Sequence, residues 1–220
     1  MKNIQTTFAI GIPTINRADL LQETLEKYSI DFPNTLIYVI DNGYQKWETQ
    51  NLSKNIKFIV NATNLGVASS CNVLMNKIYN GSEIFPSCIY SLILNDDIYF
   101  GKTEEQVLKF IVENDSKFIS STIDWCAFLC MKQLFNKIGL FDYNFWPAYF
   151  EDDDYKYRCK LNNEIIIESD FLDPLIYRNS QSIAKNPELN KNFENNKKYY
   201  IEKWGEVPQK EIFITPFNKK

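Results

Sequence analysis

Ile89-Tyr90-Ser91-Leu92-Ile93-Leu94 runs directly into Asn95-Asp96-Asp97-Ile98, and this stretch decides how the chain folds. A short, almost wholly apolar run stopped by a polar turn signal reads as a strand buried on both faces. Three more such runs precede it, at Thr7–Ile12, Leu36–Ile40 and Ile56–Val60. Helical patterns lie between them. Arg17–Ser29 puts Leu20, Leu21, Thr24, Leu25 and Tyr28 on one face, and Val67–Tyr79 turns Ala68, Cys71, Leu74, Met75 and Ile78 inward. Apolar strands alternating with helices predict an α/β domain with a mostly parallel central sheet and helices on both faces. Sheets of this kind bind ligands beyond the carboxyl ends of their strands. Those ends carry Pro13-Thr14, Asp41-Asn42 and Asp96-Asp97.

Beyond residue 100 the pattern changes. Phe118–Ser121 and Cys126–Cys130 read as strands, Met131–Ile138 as a short helix and Gly139-Leu140-Phe141-Asp142 as a turn. Glu151–Leu161 is a helix with an acidic start, Glu164–Glu168 and Pro174–Tyr177 are short strands, and Pro187–Trp204 is a polar late helix. This half is expected to complete the sheet, with the tail after Gly205 as an arm.

The 220 residues contain no histidine. That excludes a Ser-His-Asp triad, a Cys-His pair and an HExxH zinc site. Base chemistry falls to carboxylates, Lys, Tyr or Cys, and a metal would take oxygen ligands, which suit Mg²⁺, Mn²⁺ or Ca²⁺. A net charge of −4 gives no footprint for nucleic acid or an anionic membrane. No apolar run is long enough for a transmembrane segment. The five cysteines, 71, 88, 126, 130 and 159, form no CxxC pair and read as reduced, packed thiols of a cytoplasmic protein. There is no GxGxxG after the first strand and no GxxxxGK[ST].

Three constellations carry chemistry. Adjacent Asp96 and Asp97 at a buried strand end repel each other, and a divalent cation holding a diphosphate would relieve that repulsion. A turn or helix cap is the plainer reading of the same residues. Tyr149-Phe150-Glu151-Asp152-Asp153-Asp154 sets four carboxylates beside the aromatic stretch Phe141–Phe150. A helix dipole accounts for one or two of them. Aromatic walls beside carboxylates suit sugar binding and raise carboxylate pKa values. Helical spacing puts Glu151 and Asp154 on one face and Asp152 elsewhere. Asn64-Leu65-Gly66, leading into small residues up to Asn72, lets a ligand or the sheet approach the backbone.

At these residues the chain resembles the family 2 glycosyltransferases, which have the GT-A fold, a Rossmann-like, mostly parallel sheet. Ile12-Pro13-Thr14-Ile15-Asn16-Arg17 is similar to the family's first strand and helix, and Asp41 to the acid ending its second strand. Asn64-x-Gly66 with Asn72 resembles its N-x-G…N element, and Leu94-Asn95-Asp96-Asp97-Ile98 its DxD-type metal motif. Gly139-x-Phe141-Asp142 with Glu151-Asp152-x-Asp154…Arg158 resembles its acceptor-side motif. The resemblance spans residues 7–180. It implies an inverting hexosyl- or deoxyhexosyltransferase that uses a nucleotide-sugar donor, UDP- or dTDP-linked in this chain, and a glycan or other hydroxyl acceptor. One domain over 1–220 is expected, with 1–100 taking the nucleotide-sugar, 101–180 the acceptor, and 181–220 forming a C-terminal helix and tail.

By the same resemblance Pro13, Thr14, Arg17 and Asp41 contact the nucleoside, and Asp41 reads the base through its imide N–H. Asn64, Gly66 and Asn72 belong to the donor site. Asp97 ligates Mn²⁺ or Mg²⁺, and Asp96 lies near the ribose or sugar. Asp152 is the general base, supported by Glu151 and Asp154, with Trp125 and Trp146 on the acceptor side and Trp125 also shaping donor choice. Two positions depart from the family. Asn95 stands at the first DxD-type position, and Arg178-Asn179 where many relatives have a His near the metal. Arg178 is thus a candidate to bind the diphosphate directly. Two rivals remain at this level: a non-catalytic nucleotide-sugar or glycan-binding module, and a sugar nucleotidyltransferase. The latter is disfavoured by a first loop poor in glycine.

Overall fold

The computed structural model describes residues 8–219 except 84, 124, 179 and 180, and at 182 and 183 the backbone only. Thr7 and Asn179 therefore lie outside the described residues. The chain runs β1 (Phe8–Thr14), α1 (Ala18–Asp31), β2 (Ile37–Asp41), β3 (Ile56–Val60), α2 (Gly66–Asn80), β4 (Tyr90–Leu94) and β5 (Ile98–Tyr99). It continues with α3 (Glu104–Glu113), β6 (Phe118–Ser120), β7 (Ala127–Met131), α4 (Lys132–Ile138), α5 (Glu151–Leu161), β8 (Ile167–Glu168), β9 (Ile176–Tyr177), α6 (Gln181–Lys185) and α7 (Phe193–Trp204).

Seven strands form one sheet in the order β3-β2-β1-β4-β7-β6-β8, and β5 pairs with β9 beside it. Only β7 runs against the others, antiparallel to both β4 and β6. The α/β class and the mostly parallel sheet are as the apolar runs predict. Every residue of β2 and β4 is buried, as strands covered on both faces must be. Alternation along β1 assigns the two cores. Phe8, Ile10 and Ile12 pack with Leu21, Leu25 and Tyr28 of α1 and Val107 and Ile111 of α3. Ala9 faces Leu74, Met75 and Ile78 of α2, with Leu134 of α4 and Tyr155 of α5. Gly11 shares that second face because a Cβ there would stand 2.7 Å from Ile93 Cδ1 and 3.1 Å from Leu74 Cβ.

The chain passes from β1 through α1 to β2 on one side, and β4 returns on the other. The strand order reverses between β1 and β4, which opens a crevice at their carboxyl ends. Helix α3 is the one long element outside the sequence reading. Its signal is present: Thr103 and Gln106 form a capping box ahead of an apolar stripe. The late helix expected over Pro187–Trp204 is instead a 3-10 turn at Pro187–Asn190 and a separate α7. The two short late strands shrink to Ile167–Glu168 and Ile176–Tyr177. All five cysteines are buried and none forms a disulfide. Among the described residues, no helix is long and apolar enough to cross a membrane.

Helix α7 is fastened through Asp154, which is fully buried. Its Oδ2 accepts from Arg158 Nε at 2.8 Å; its Oδ1 accepts from Trp204 Nε1 at 2.8 Å and pairs with Lys203 Nζ at 2.6 Å. Lys203 Nζ also donates to Asp142 Oδ2 at 2.6 Å. The tail folds back on this helix, with Ile212 and Phe213 N–H groups on Trp204 O and Tyr157 Oη on Phe213 O. Removing one partner of a buried pair strands the other, at about 3–5 kcal/mol. Asp154→Ala is therefore expected to lower unfolding stability by about 3–5 kcal/mol, read as the urea midpoint. Lys198→Ala, whose surface partner Glu202 is 3.8 Å away, is expected to leave the midpoint unchanged.

Candidate functional site

The crevice at the ends of β1 and β4 is a cavity of about 440 Å³. Pro13, Thr14 and Ile15 line one side with Asn95, Asp96 and Asp97; Asn64, Gly66, Ser70 and Cys71 from the start of α2 line another. Trp125, Tyr149, Glu151, Asp152 and Lys156 form the facing wall, over a floor that includes Ile93, Phe128 and Phe141.

Each wall is held by specific bonds. Thr14 Oγ1 donates to Asp96 Oδ2 at 2.7 Å, tying the tips of β1 and β4. Asn95 N–H donates to Cys126 O at 2.9 Å, which fixes the acidic loop to the segment carrying Trp125. Asn72 clamps Phe141 through both backbone groups, at 2.9 and 2.8 Å. Gly66, at φ +78°, accepts the Trp146–Pro147 segment against its backbone; a Cβ there would meet Trp146 Cδ1 at 2.8 Å and Pro147 O at 2.9 Å. Val67 N–H then donates to Pro147 O at 2.8 Å, and Trp146 Nε1 to Asn64 O at 3.1 Å. Trp125, Tyr149 and Phe150 all have positive φ, 52°, 78° and 71°. Such backbone costs on the order of 1–3 kcal/mol per residue and clusters where side chains are held for function.

Of the residues singled out in the sequence, Pro13, Thr14, Asn64, Gly66, Asp96, Asp97, Trp125, Glu151 and Asp152 line the cavity. Arg17, Asp41, Asn72, Trp146, Asp154 and Arg178 do not. Asp41 is fully buried, and its oxygens accept from Gly43 N, Gln45 N, Gln45 Nε2 and Trp47 Nε1 at 2.7–3.0 Å. Burial works to raise the Asp41 pKa, but these four donors outweigh it, so the carboxyl lies below its ordinary range. Arg17 is buried at the start of α1 with Nε on Asp19 Oδ1 at 3.1 Å. The Arg178 backbone N–H donates to Asp97 O at 3.1 Å, and its Nη1 is buried without a hydrogen-bond partner. Tyr149, Asn42 and Ser70, from the stretches named in the sequence, also line the cavity, and so does Lys156, which was not singled out. Lys156 had a legible signal: it stands four residues after Asp152, and its Nζ lies 3.5 Å from Asp152 Oδ2 and 4.7 Å from the Trp125 ring centroid.

The two acids opening α5 differ in setting. The Asp152 side chain is 34% exposed beside Lys156. Glu151 is 8% exposed, and its Oε2 has no partner. Burial, with the neighbouring Asp152 charge second, pushes the Glu151 pKa well above its ordinary value. Trp125 Nε1 is likewise buried without a partner. On the opposite wall, Asp96 and Asp97 are both buried. Among the described residues no cluster of three or more His, Cys, Asp or Glu groups forms a ready-made metal cage. Two adjacent oxygen-ligand side chains do fit the habit of Mg²⁺ and Mn²⁺, which take one or two carboxylates and complete their shell with substrate phosphates.

No protein-family model matches the sequence, and no curated protein matches it. Solved structures do match. S. aureus TarS superposes over 74% of this chain and 35% of its own, at TM-score 0.53 and 16% identity. GalNAc-T7, crystallised with UDP, GalNAc and Mn²⁺, covers 90% of this chain and 50% of its own, at TM-score 0.57 and 11% identity. A protein reported as a nucleotide-diphospho-sugar transferase, from Desulfovibrio desulfuricans G20, covers 74% and 79%, at TM-score 0.51 and 9% identity. The chain thus spans about a third of TarS and half of GalNAc-T7. It has the GT-A-like fold of these proteins.

An acid whose pKa is raised by folding keeps its proton in the folded state after the unfolded chain has lost it. Stability then falls as pH rises from the ordinary carboxyl range towards the folded value. Glu151 contributes in this sense, as does Asp153, pushed up to about 6 mainly by burial and then by the Asp152 charge. Glu151→Gln keeps the shape and cannot ionise. Relative to the unaltered protein it is expected to gain stability steadily from about pH 5 to about pH 8, read as urea midpoints along that series.

Proposed function

We propose that the protein is an inverting glycosyltransferase that moves a sugar from a nucleoside-diphosphate sugar, UDP- or dTDP-linked, to an acceptor hydroxyl. The observation that carries this reading is one cavity at the strand-order reversal, with the buried Asp96-Asp97 pair on one wall and Glu151-Asp152 on the facing wall. Residues 1–100 take the donor and 101–180 the acceptor. Pro13, Thr14 and Ile15 border the nucleoside. Asp41 and Arg17 act through the loop and helix start they order, and Asp41 does so by spending its oxygens on residues 43–47.

Asp152 accepts the proton of the acceptor hydroxyl. It is the acid at the start of α5 that remains open to the cavity. The freed oxygen attacks the anomeric carbon from the face opposite the diphosphate, which leaves with the bonding pair. That geometry inverts the centre. Glu151, buried and proton-retaining, orients rather than abstracts. Asp97, with Asp96 beside it, would hold Mn²⁺ or Mg²⁺, which when bound offsets charge on the diphosphate. The aromatic side chains of Trp125 and Tyr149 on the wall, over Phe141 on the floor, exclude water and protect the donor from hydrolysis.

Asp152→Asn is expected to keep nucleotide affinity and lose transfer by about 10²–10⁴-fold. Tight nucleotide binding with no turnover in either protein would make the chain a binding module instead. A thermal-shift panel of nucleotide-sugars with and without Mn²⁺ checks the donor side, because ligand on the native state raises Tm. Asp97→Ala is expected to abolish the Mn²⁺-dependent part of that shift, and an undiminished shift would remove Asp97 from the metal.

A further inference from the structure

A second hollow, of about 430 Å³, adjoins the first and shares Trp125 and Lys156 with it. Its other lining residues are Lys160, Glu164, Ile166 and Glu168. We propose that it is an acceptor subsite for an anionic group, a carboxylate or phosphate, carried by the acceptor next to the unit that is glycosylated. This assignment rests on the reading of Asp152 as the base.

The charges around the hollow support it. Glu164 is already neutralised: Lys117 Nζ is 3.1 Å from both its oxygens, and Lys137 Nζ is 2.6 Å from Oε1. Those two lysines hold its carboxyl below the ordinary range. Lys160 lies one turn beyond Lys156 on α5, is exposed, and makes no ion pair among the described residues; its Nζ sits 5.7 Å from the Tyr157 ring. Lys117 and Lys137 stand outside the lining and offset Glu164 between them, and Lys156 pairs with Asp152 at 3.5 Å, so the four lysines around the hollow face Glu164, Glu168 and, at the rim, Asp152, a local surplus of one positive charge. The whole chain is net −4, so this local excess runs against its overall charge. The donor diphosphate belongs at Asp96-Asp97 on the opposite wall, leaving these lysines to the acceptor. An acceptor with its hydroxyl at Asp152 passes over the Trp125–Lys156 rim into the hollow. An ammonium there serves an anion as a point charge.

The Trp125 indole N–H reports on the rim by NMR, assigned with Trp125→Phe. The probes are glucuronate and glycerol phosphate, set against glucose and glycerol. Both anions are expected to bind about tenfold tighter than their neutral partners, and Lys160→Glu to remove that preference while UDP affinity stays unchanged. Raising salt from about 20 mM to about 300 mM is expected to erase the preference as well. A response to glucuronate alone or glycerol phosphate alone identifies which anion the subsite takes. Equal affinity for charged and neutral probes overturns the proposal, as does a Lys160→Glu effect on both alike. A charge preference without any nucleotide-sugar binding overturns the transferase reading and the acceptor role with it. Nucleotide-sugar binding without a charge preference overturns only the subsite.

Discussion

A sheet buried on both faces leaves polar chemistry one place, the ends of its strands. In this protein the constraint is tightest at β1 and β4, where strand order reverses and two helices diverge. The Thr14–Asp96 hydrogen bond joins the two tips, so the acidic loop is set by the sheet rather than by its own sequence. Gly11 allows α2 to lie close against that sheet, and α2 begins in the same cavity. The Asp96-Asp97 wall of the cavity is therefore a product of packing several residues below it.

The facing wall depends on longer reaches of chain. Asn72 on α2 grips Phe141, and Gly66 receives Trp146 and Pro147. Together they bring the aromatic segment over the strand ends. Helix α5 is then fixed from behind by Asp154, Arg158, Lys203 and Trp204. One acidic run thus supplies two functions. Glu151 and Asp152 face the cavity, while Asp154 points into the protein and anchors the last helix.

The first half was legible because its signals are local. Each strand is a continuous apolar run, and each helix shows its stripe within fifteen residues. The acidic pair at the end of β4 and the acids opening α5 were legible for the same reason. Asp41 shows where legibility ends. A carboxylate ending a strand looks alike whether it meets a ligand or its own loop, and only the positions of Gln45 and Trp47 decide. Arg178 is a similar case, since its backbone N–H reaches the acidic loop while its side chain is not part of the cavity lining. The late helix divides where Asn190 accepts from Tyr149 Oη and Asn192 donates to Trp146 O, contacts 41 and 46 residues apart in the chain that no local pattern signals.

Glu151 and Asp152 are adjacent in sequence and alike in chemistry, so composition cannot rank them. The backbone does. With Phe150 in the left-handed region, the chain enters α5 in a way that buries the first acid and leaves the second open beside Lys156. Burial makes the first carboxyl hard to ionise, and the Asp152 charge adds to the cost. A proton acceptor must be ionised, and a buried acid that keeps its proton is not. The difference in setting between the two therefore comes from a helix start, one residue in length, and from the strained aromatic backbone that sets it.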